Sequence, residues 1–135
     1  MNKEILFEIG GEGGSISISR KTDGNIVKYI YHHNEFDPID DETLINVETE
    51  FDSFEEPFQI INLQYSWYNL YIQVVHEDYR DYIIQNLIGK LNKKNIRMDD
   101  LYWSISRLEE TLKIKLTYNI NERFWSFQEN HIDEL

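Results

Sequence analysis

The sequence predicts one α+β domain in which an N-terminal antiparallel β-meander packs against about three helices. Residues 15–19 read Ser-Ile-Ser-Ile-Ser, which is the period-two alternation of a half-buried strand. Later in the chain, Leu101, Ile105 and Leu108 follow the i, i+4, i+7 spacing of an amphipathic helix. A length of 135 residues suits one domain over residues 1–135, and a hydrophobic content of 41% argues against disorder.

The first strand is predicted over residues 3–9. A glycine-rich turn at residues 10–14 joins it to the alternating segment, so that the two form a β-hairpin. A second turn at residues 21–25, in which Gly24 supplies a positive φ, leads to a third strand over residues 26–33. The N-terminal quarter is therefore predicted to be a three-stranded meander.

The segment after the meander is acidic and irregular over residues 34–50, and a short strand around residues 44–47 is one candidate element. Ser53 and Glu56 then have the spacing of a capping box, in which a capping serine is followed three residues later by glutamate. Apolar residues at helical spacing continue as far as Tyr65, so we predict a first helix of about three turns.

A fourth strand is predicted over residues 70–75, and a second helix follows the His-Glu-Asp triplet at residues 76–78. The two acids of this triplet favour a helix start because they face the positive end of the helix dipole. A third helix is predicted to begin at Asp99, and residues 113–118 either fray from it or add a strand. Residues 119–135 are a candidate tail, whose aromatic side chains either pack back on the domain or form an exposed apolar surface.

The negative charge of the chain is confined to its middle. The formal net charge is −12, from 13 Lys and Arg against 25 Asp and Glu. Residues 1–28 and 80–135 are each neutral, whereas residues 29–79 hold twelve acids and no Lys or Arg. Ten of these acids fall within residues 35–56. Two interpretations stay open: a solvated loop, or a negative field that attracts a basic protein partner.

Composition excludes several classes of function. Acidity argues against binding to nucleic acid and to anionic lipid, because both need clustered Lys and Arg. The absence of cysteine excludes disulfides, a thiol nucleophile and Cys-ligated zinc. Residues 57–76 are uncharged over about the length of a membrane span but contain many amides, so we interpret them as core. No signal peptide is predicted, and the expected location is the cytoplasm.

The chain carries no complete motif for nucleotide, metal or catalytic chemistry. The glycine-rich turn lacks the lysine and the following helix that a phosphate-binding loop needs. Arg80 stands where a zinc-binding His-Glu-x-x-His helix starting at His76 needs its second histidine. His32 and His33 are neighbours on a predicted strand, so they point to opposite faces.

Two further types of site are weighed against the sequence. The EF-hand spacing and the Gly-x-Ser-x-Gly elbow are missing. Carboxylate pairs for glycoside chemistry always occur among twelve clustered acids, so their presence is not specific. We therefore predict no metal, no cofactor and no catalytic residue, and we leave enzyme activity open.

Three short motifs resemble one group of proteins. They are residues 7–16 with their Gly-Glu-Gly-Gly-Ser turn, Trp-Tyr-x-Leu-Tyr at residues 67–71, and Val-His-x-x-Tyr at residues 75–79. Together they resemble small acidic bacterial proteins that look like immunity proteins of polymorphic toxin systems. Tyr29 and Tyr31 stand in the third strand, where that group carries a tryptophan. The resemblance implies an α+β fold and a toxin partner, and it brings no catalytic residues.

The function predicted from these observations is binding and neutralisation of a basic toxin domain by an acidic surface flanked by aromatic residues. Tyrosine and tryptophan beside a charged field are typical of interface hot spots, although at this spacing most are core. The predicted partner-binding residues are Glu35, Asp37, Asp40, Asp41, Glu42, Glu48, Glu50, Asp52, Trp67, Tyr68 and Tyr71. One alternative is a small enzyme or ligand-binding domain with His76 or paired carboxylates in a cleft. Another is a structural protein that self-associates through Trp125 and Phe127.

Overall fold

A computed structural model describes residues 2–11, 13–37, 39–40, 42–61, 71–95, 97 and 105–129. Within these ranges the fold is a mixed α+β fold, as predicted, with a β-meander, a separate β-hairpin and three α-helices. The elements are β1 (Asn2–Gly11), β2 (Gly14–Asp23), β3 (Ile26–Phe36), β4 (Thr43–Phe51), α1 (Glu55–Gln59), β5 (Tyr71–Val75), a 3-10 turn (Glu77–Tyr79), α2 (Arg80–Lys93), α3 (Ile105–Leu112), β6 (Ile114–Asn119) and β7 (Phe124–Glu129).

The main sheet has five antiparallel strands in the order β4-β3-β2-β1-β5, which places β4 and β5 at its two edges. The glycine-rich turn closes the β1–β2 hairpin with Gly11 opposite Gly14, as predicted. The meander continues one strand further than predicted. The short strand expected around residues 44–47 is longer in the structure, where it spans all of β4. Its pairing with β3 extends from Thr43, opposite Phe36, to Phe51, opposite Tyr29.

One face of the sheet carries the core. Residues opposite each other on neighbouring strands share a face, and Phe7 pairs with Ile18 while Ile9 pairs with Ile16. The helices cover this face with apolar side chains from α1 and α2. The buried residues that meet there include Phe7, Ile9, Ile16, Ile18, Phe54, Phe58, Ile72, Ile83, Ile84, Leu87 and Leu91. The β4 edge extends beyond this cover, since nearly all its residues are exposed.

The first helix is shorter than the three turns predicted. Glu56 N donates to Ser53 Oγ at 3.4 Å, as the capping-box spacing requires. The Glu56 carboxylate, however, accepts from Asp52 N at 3.3 Å, and the helix starts at Glu55. It ends after Gln59, and the remainder of the predicted helix from residue 62 onward lies outside the described residues.

The later elements follow the predicted order. Strand β5 starts at Tyr71, and α2 follows the acidic 3-10 turn. The predicted start of the third helix at Asp99 lies outside the described residues, which show α3 from Ile105. The alternating segment after α3 forms strand β6 and does not continue the helix.

The region predicted as a candidate tail contains strand β7, which pairs with β6 and packs on α2. Trp125 is 1% exposed, and its ring centroid lies 4.9 Å from that of Tyr118. The side chain of Asn92 on α2 binds the Trp125 backbone twice: Trp125 N donates to Oδ1 at 2.7 Å, and Nδ2 donates to the Trp125 carbonyl at 3.0 Å. Phe127 is partly buried against the same core. Residues 130–135 lie outside the described residues.

Lys90 on α2 holds the carboxyl end of α1. Its Nζ donates to the carbonyls of Phe58, Gln59 and Ile61 at 2.7, 3.0 and 3.2 Å. These carbonyls belong to the end of a helix, where the helix itself supplies no partner. Burial, assisted by the positive charge of Lys94, lowers the pKa of Lys90 from 10.5 to about 8. All three protons of the ammonium group are thus hydrogen-bonded, although the group is partly removed from water.

This lowered pKa makes stability depend on pH in a definite direction. Between pH 8 and 10.5 the unfolded chain holds the Lys90 proton more tightly than the folded one, so the free energy of unfolding rises with pH. Because Lys90 is only about half buried, we expect a gain of about 1 kcal/mol from pH 7.5 to 9.5 relative to Lys90→Gln. Urea unfolding at both pH values measures it. Lys93→Gln, an exposed lysine on the same helix, is the control and should keep the wild-type slope; equal slopes in wild type and Lys90→Gln would contradict the assignment.

Candidate functional site

Eight acidic residues lie within residues 35–52, on the hairpin that β3 and β4 form; we call this segment the acidic hairpin. Two carboxylates of this segment stabilise its turn by accepting hydrogen bonds from backbone N–H groups. Asp37 Oδ1 accepts from Ile39 N at 2.8 Å, and Asp40 Oδ1 accepts from Glu42 N at 2.9 Å. The Asp37 N–H donates to the Glu42 carbonyl at 2.8 Å. These acids therefore shape the turn on which their charge is displayed.

The acids of β4 lie on the face of the sheet that points away from the helices. Glu48 pairs with His32 and Glu50 pairs with Ile30, and these positions alternate with the residues that face the core. Both glutamates are exposed. Glu50 lies 3.8 Å from Lys21 Nζ, a distance at which a surface ion pair contributes little stability. The charge of β4 is thus available to a partner.

The end of β3 carries one acid on the opposite face. Glu35 pairs across the strands with Ile45, and its carboxylate lies 3.4 Å from His33 Nε2. Burial lowers the pKa of His33, while the charge of Glu35 acts in the opposite direction. Both faces of the acidic hairpin therefore carry carboxylates.

Large apolar side chains are exposed among these acids. They are Phe36, Ile39, Leu44 and Val47, with exposed fractions of 40%, 94%, 62% and 50%. Apolar residues interspersed with charge on one exposed element are typical of a protein–protein contact surface. The acidic hairpin thus offers both components of an interface: a field that attracts and an apolar area that can be buried.

A cavity of about 380 Å³ opens where β4 leads into α1. We call it the tyrosine cavity. Phe54 at the start of α1, Tyr79 in the 3-10 turn and Tyr82 on α2 line it together with Tyr29 of β3, and three acids stand among them. The lining residues are Tyr29, Asp52, Ser53, Phe54, Glu55, Asp78, Tyr79 and Tyr82. Folding therefore joins the end of the acidic hairpin to the second acidic group of the chain, at residues 77–78.

The aromatic walls of the tyrosine cavity pack on one another. The Phe54 ring lies 4.7 Å from that of Tyr79 and 5.5 Å from that of Tyr82, the latter edge to face. The hydroxyls of Tyr29 and Tyr79 are 3.3 Å apart. This contact, with burial, raises the pKa of Tyr29, and burial raises that of Tyr82. Both phenols therefore stay neutral at physiological pH, and carboxylates dominate the charge of the rim.

A network of polar side chains fixes Tyr79 from behind. Arg20 donates to the Tyr79 hydroxyl at 3.4 Å and to the Glu4 carboxylate at 2.6 Å. His76 Nε2 lies 2.9 Å from the same carboxylate, and His76 Nδ1 accepts from Asp78 N at 3.1 Å. The hydrogen bond with Arg20 is the main cause of a lowered pKa of Glu4, and the hydrogen bond with His76 adds to it. His76 thus stands at the start of the 3-10 turn, where its contacts with Glu4 and Asp78 support the wall of the cavity.

Among the described residues, the acids of the predicted site lie together, whereas the backbone of Tyr71 lies apart from them. Glu35, Asp37, Asp40, Glu42, Glu48, Glu50 and Asp52 all lie on the acidic hairpin. Asp41, Trp67 and Tyr68 lie outside the described residues. The backbone of Tyr71 pairs with Gly10 in β5, at the edge of the sheet opposite to β4.

The aromatic residues that do stand beside the acids are Tyr29, Phe54, Tyr79 and Tyr82. Tyr29 falls in the predicted third strand, Phe54 in the predicted first helix, and Tyr79 and Tyr82 in the predicted second helix. Tyr29 and Tyr79 are separated by 50 residues, so no local spacing signals their contact. The capping pattern around Ser53 and the two acids after His76 are the signals that mark this region, since both place acids at helix starts.

Within the part of the chain that the structure describes, no three metal-ligating side chains converge on one point. No helix among the same residues has both the length and the apolar character needed to cross a membrane. No protein-family model, curated protein or solved structure matches this chain.

Proposed function

We propose that this protein is an immunity protein that binds and neutralises a basic bacterial toxin domain through the acidic hairpin. The observation that carries the proposal is the concentration of eight of the twelve acids of residues 29–79 within one sheet-edge hairpin, where five of them are exposed together with large apolar side chains. The resemblance of the glycine turn and the Val-His-x-x-Tyr segment to immunity-like proteins agrees with it.

The arrangement of charge supports a protein partner of positive sign. Lys28 at the start of β3 is the last Lys or Arg before Arg80, so the acidic hairpin carries no positive charge of its own, and only Lys21 and Lys28 approach its acids at the Glu50 and Asp52 end. A negative field increases the association rate with a basic surface and repels acidic ones. A toxin that acts on nucleic acid has a basic active site, and a surface rich in carboxylates fits it by imitating phosphate charge.

A small-ligand-binding domain is the second candidate, and the tyrosine cavity favours it. Its volume of about 380 Å³ lies within the usual range for ligand pockets. Its described lining includes Ser53 but no histidine, so the described residues lack the Ser–His pair that usually activates a serine nucleophile. The third alternative, self-association through Trp125, loses its basis because that side chain is buried in the core.

Co-purification with the product of the adjacent gene, followed by assay of toxin inhibition, tests the proposal. A neighbour without toxic activity that forms no complex would contradict it. A matched pair of variants then locates the surface. Each member changes three exposed acids to amides: Glu42→Gln, Glu48→Gln and Glu50→Gln on the acidic hairpin, against Asp23→Asn, Glu110→Gln and Glu122→Gln elsewhere.

We expect the hairpin variant to lower the association rate constant by about tenfold to a hundredfold at low salt and to flatten its salt dependence. The control variant, which has the same net charge, should stay within about threefold of wild type, since its charges lie off the interface. Stopped-flow association at two ionic strengths measures both. Equal losses in the two variants would show that only net charge matters and would overturn the assignment of the surface.

A further inference from the structure

We propose that the tyrosine cavity is the receptor for one arginine side chain of the partner protein. This inference rests on the proposed function, because it names the group that anchors the basic partner beside the acidic hairpin. It depends on three properties of the cavity: its aromatic walls, the sign of its rim and its position.

The walls are suited to a flat cation. Tyr29, Tyr79 and Tyr82 are partly exposed and line the cavity beside the buried Phe54, and aromatic rings attract a cation placed over their faces. The protein already shows such a contact, since the Arg20 guanidinium carbon lies 5.9 Å from the centroid of the Tyr79 ring. Because Glu4 binds Arg20 at 2.6 Å, that internal guanidinium is locally neutralised. A second guanidinium at the cavity mouth therefore meets an aromatic wall without strong repulsion.

The rim of the cavity is negative. Asp52 is paired with Lys28, and that contact raises the pKa of Lys28. Glu55 and Asp78 are both exposed on the rim, and the Asp78 side chain is 72% exposed. Two carboxylates above aromatic rings favour arginine over lysine, because a planar guanidinium stacks on a ring while its N–H groups bond carboxylates in the same plane.

The position of the cavity connects it to the proposed interface. Asp52 follows Phe51, the last residue of β4, so the rim continues the acidic surface of the hairpin without a gap in the chain. A basic partner seated on the hairpin would place its nearest arginine at the cavity mouth. Buried aromatic and arginine contacts are the groups that dominate binding energy in protein interfaces.

The probe for the test is N-acetyl-arginine amide, and its control is N-acetyl-citrulline amide, which has nearly the same shape without the charge. We expect the arginine probe to bind with a millimolar dissociation constant and to shift backbone amide signals of Ser53, Phe54, Tyr79 and Tyr82 in nuclear magnetic resonance titrations. The citrulline probe should shift them far less. Equal binding of the two probes, or shifts elsewhere only, would overturn the inference.

Substitutions at exposed positions test the contribution of the rim charge. Glu55→Gln with Asp78→Asn removes the rim charge at exposed positions, and we expect it to weaken the arginine probe by about tenfold. Glu110→Gln with Glu122→Gln removes the same charge on α3 and in the β6–β7 turn, and it should leave the affinity within about twofold of wild type. Equal weakening by both double variants would show that the probe responds only to net charge and would overturn the inference.

The two proposals fail in distinguishable ways. Specific probe binding together with no complex from the adjacent gene would leave an arginine-side-chain site and refute the immunity function. A toxin complex that forms with wild-type affinity in the rim variant would support the immunity function and refute the anchoring role of the cavity. Loss of both probe binding and toxin affinity in the rim variant, with the control variant unaffected, supports both.

Discussion

Replacement of Gly14 by alanine is expected to lower the free energy of unfolding by at least about 3 kcal/mol. Gly14 closes the β1–β2 hairpin with a φ of +153°, a conformation that other residues rarely adopt. A Cβ atom there would lie 2.1 Å from the Asn34 carbonyl oxygen and 2.9 Å from Glu35 Cα. These are backbone atoms of β3, so relief requires the β2–β3 pairing to open where the acidic hairpin begins.

A second glycine provides the matched control for this substitution. Gly24 also has a positive φ, of +63°, but among the described residues no atom beyond its chain neighbours would lie within 4 Å of an added Cβ. Gly24→Ala is therefore expected to cost only about 1 kcal/mol, from backbone strain alone. Urea unfolding followed by circular dichroism measures both variants. A Gly14→Ala protein no less stable than Gly24→Ala would show that β3 does not approach the turn so closely.

Substitution of Trp125 by alanine is expected to cost about 3–5 kcal/mol, which is a large part of the stability of a domain this size. The side chain is 1% exposed and packs on Tyr118 within the core, while its backbone is bound on both sides by the Asn92 amide. The loss should appear as a lower urea midpoint and a lower melting temperature.

The neighbouring Phe124 is the control for Trp125, because it lies on the same strand and is 51% exposed. Phe124→Ala is expected to change stability by less than about 1 kcal/mol. If Trp125→Ala instead unfolds at the wild-type midpoint, β7 would behave as a tail that the domain does not need. A large loss would establish the C-terminal hairpin as part of the cooperative unit.

The strands of the meander could be predicted from the sequence because their signals are local. Alternation over residues 15–19, the glycine-rich turn and the Asp23-Gly24 turn each depend on a few adjacent residues. Strand β4 was predicted too short because its residues are mostly exposed and lie in an acidic segment, although the side chains of residues 45–51 do alternate between apolar or β-branched and polar. Its full length follows from pairing with β3.

The acids of the candidate site could also be predicted, since charge segregation is visible along the chain. The aromatic part could not, because the tyrosine cavity depends on contacts between residues far apart in sequence. The carboxyl end of the first helix could not be predicted for the same reason. Lys90, some thirty residues away, binds the carbonyls where α1 ends, and helical spacing alone extended the prediction beyond that point.

Strand β4 occupies a sheet edge, and this position has a consequence for self-recognition. An exposed edge can add a strand from any chain that approaches it, including a second copy of the same protein. Antiparallel addition of a second β4 would bring Glu48 and Glu50 close to the same carboxylates of the other copy, where like charges repel. The carboxylates that would attract the proposed basic partner thus also disfavour pairing with a second copy of the same strand.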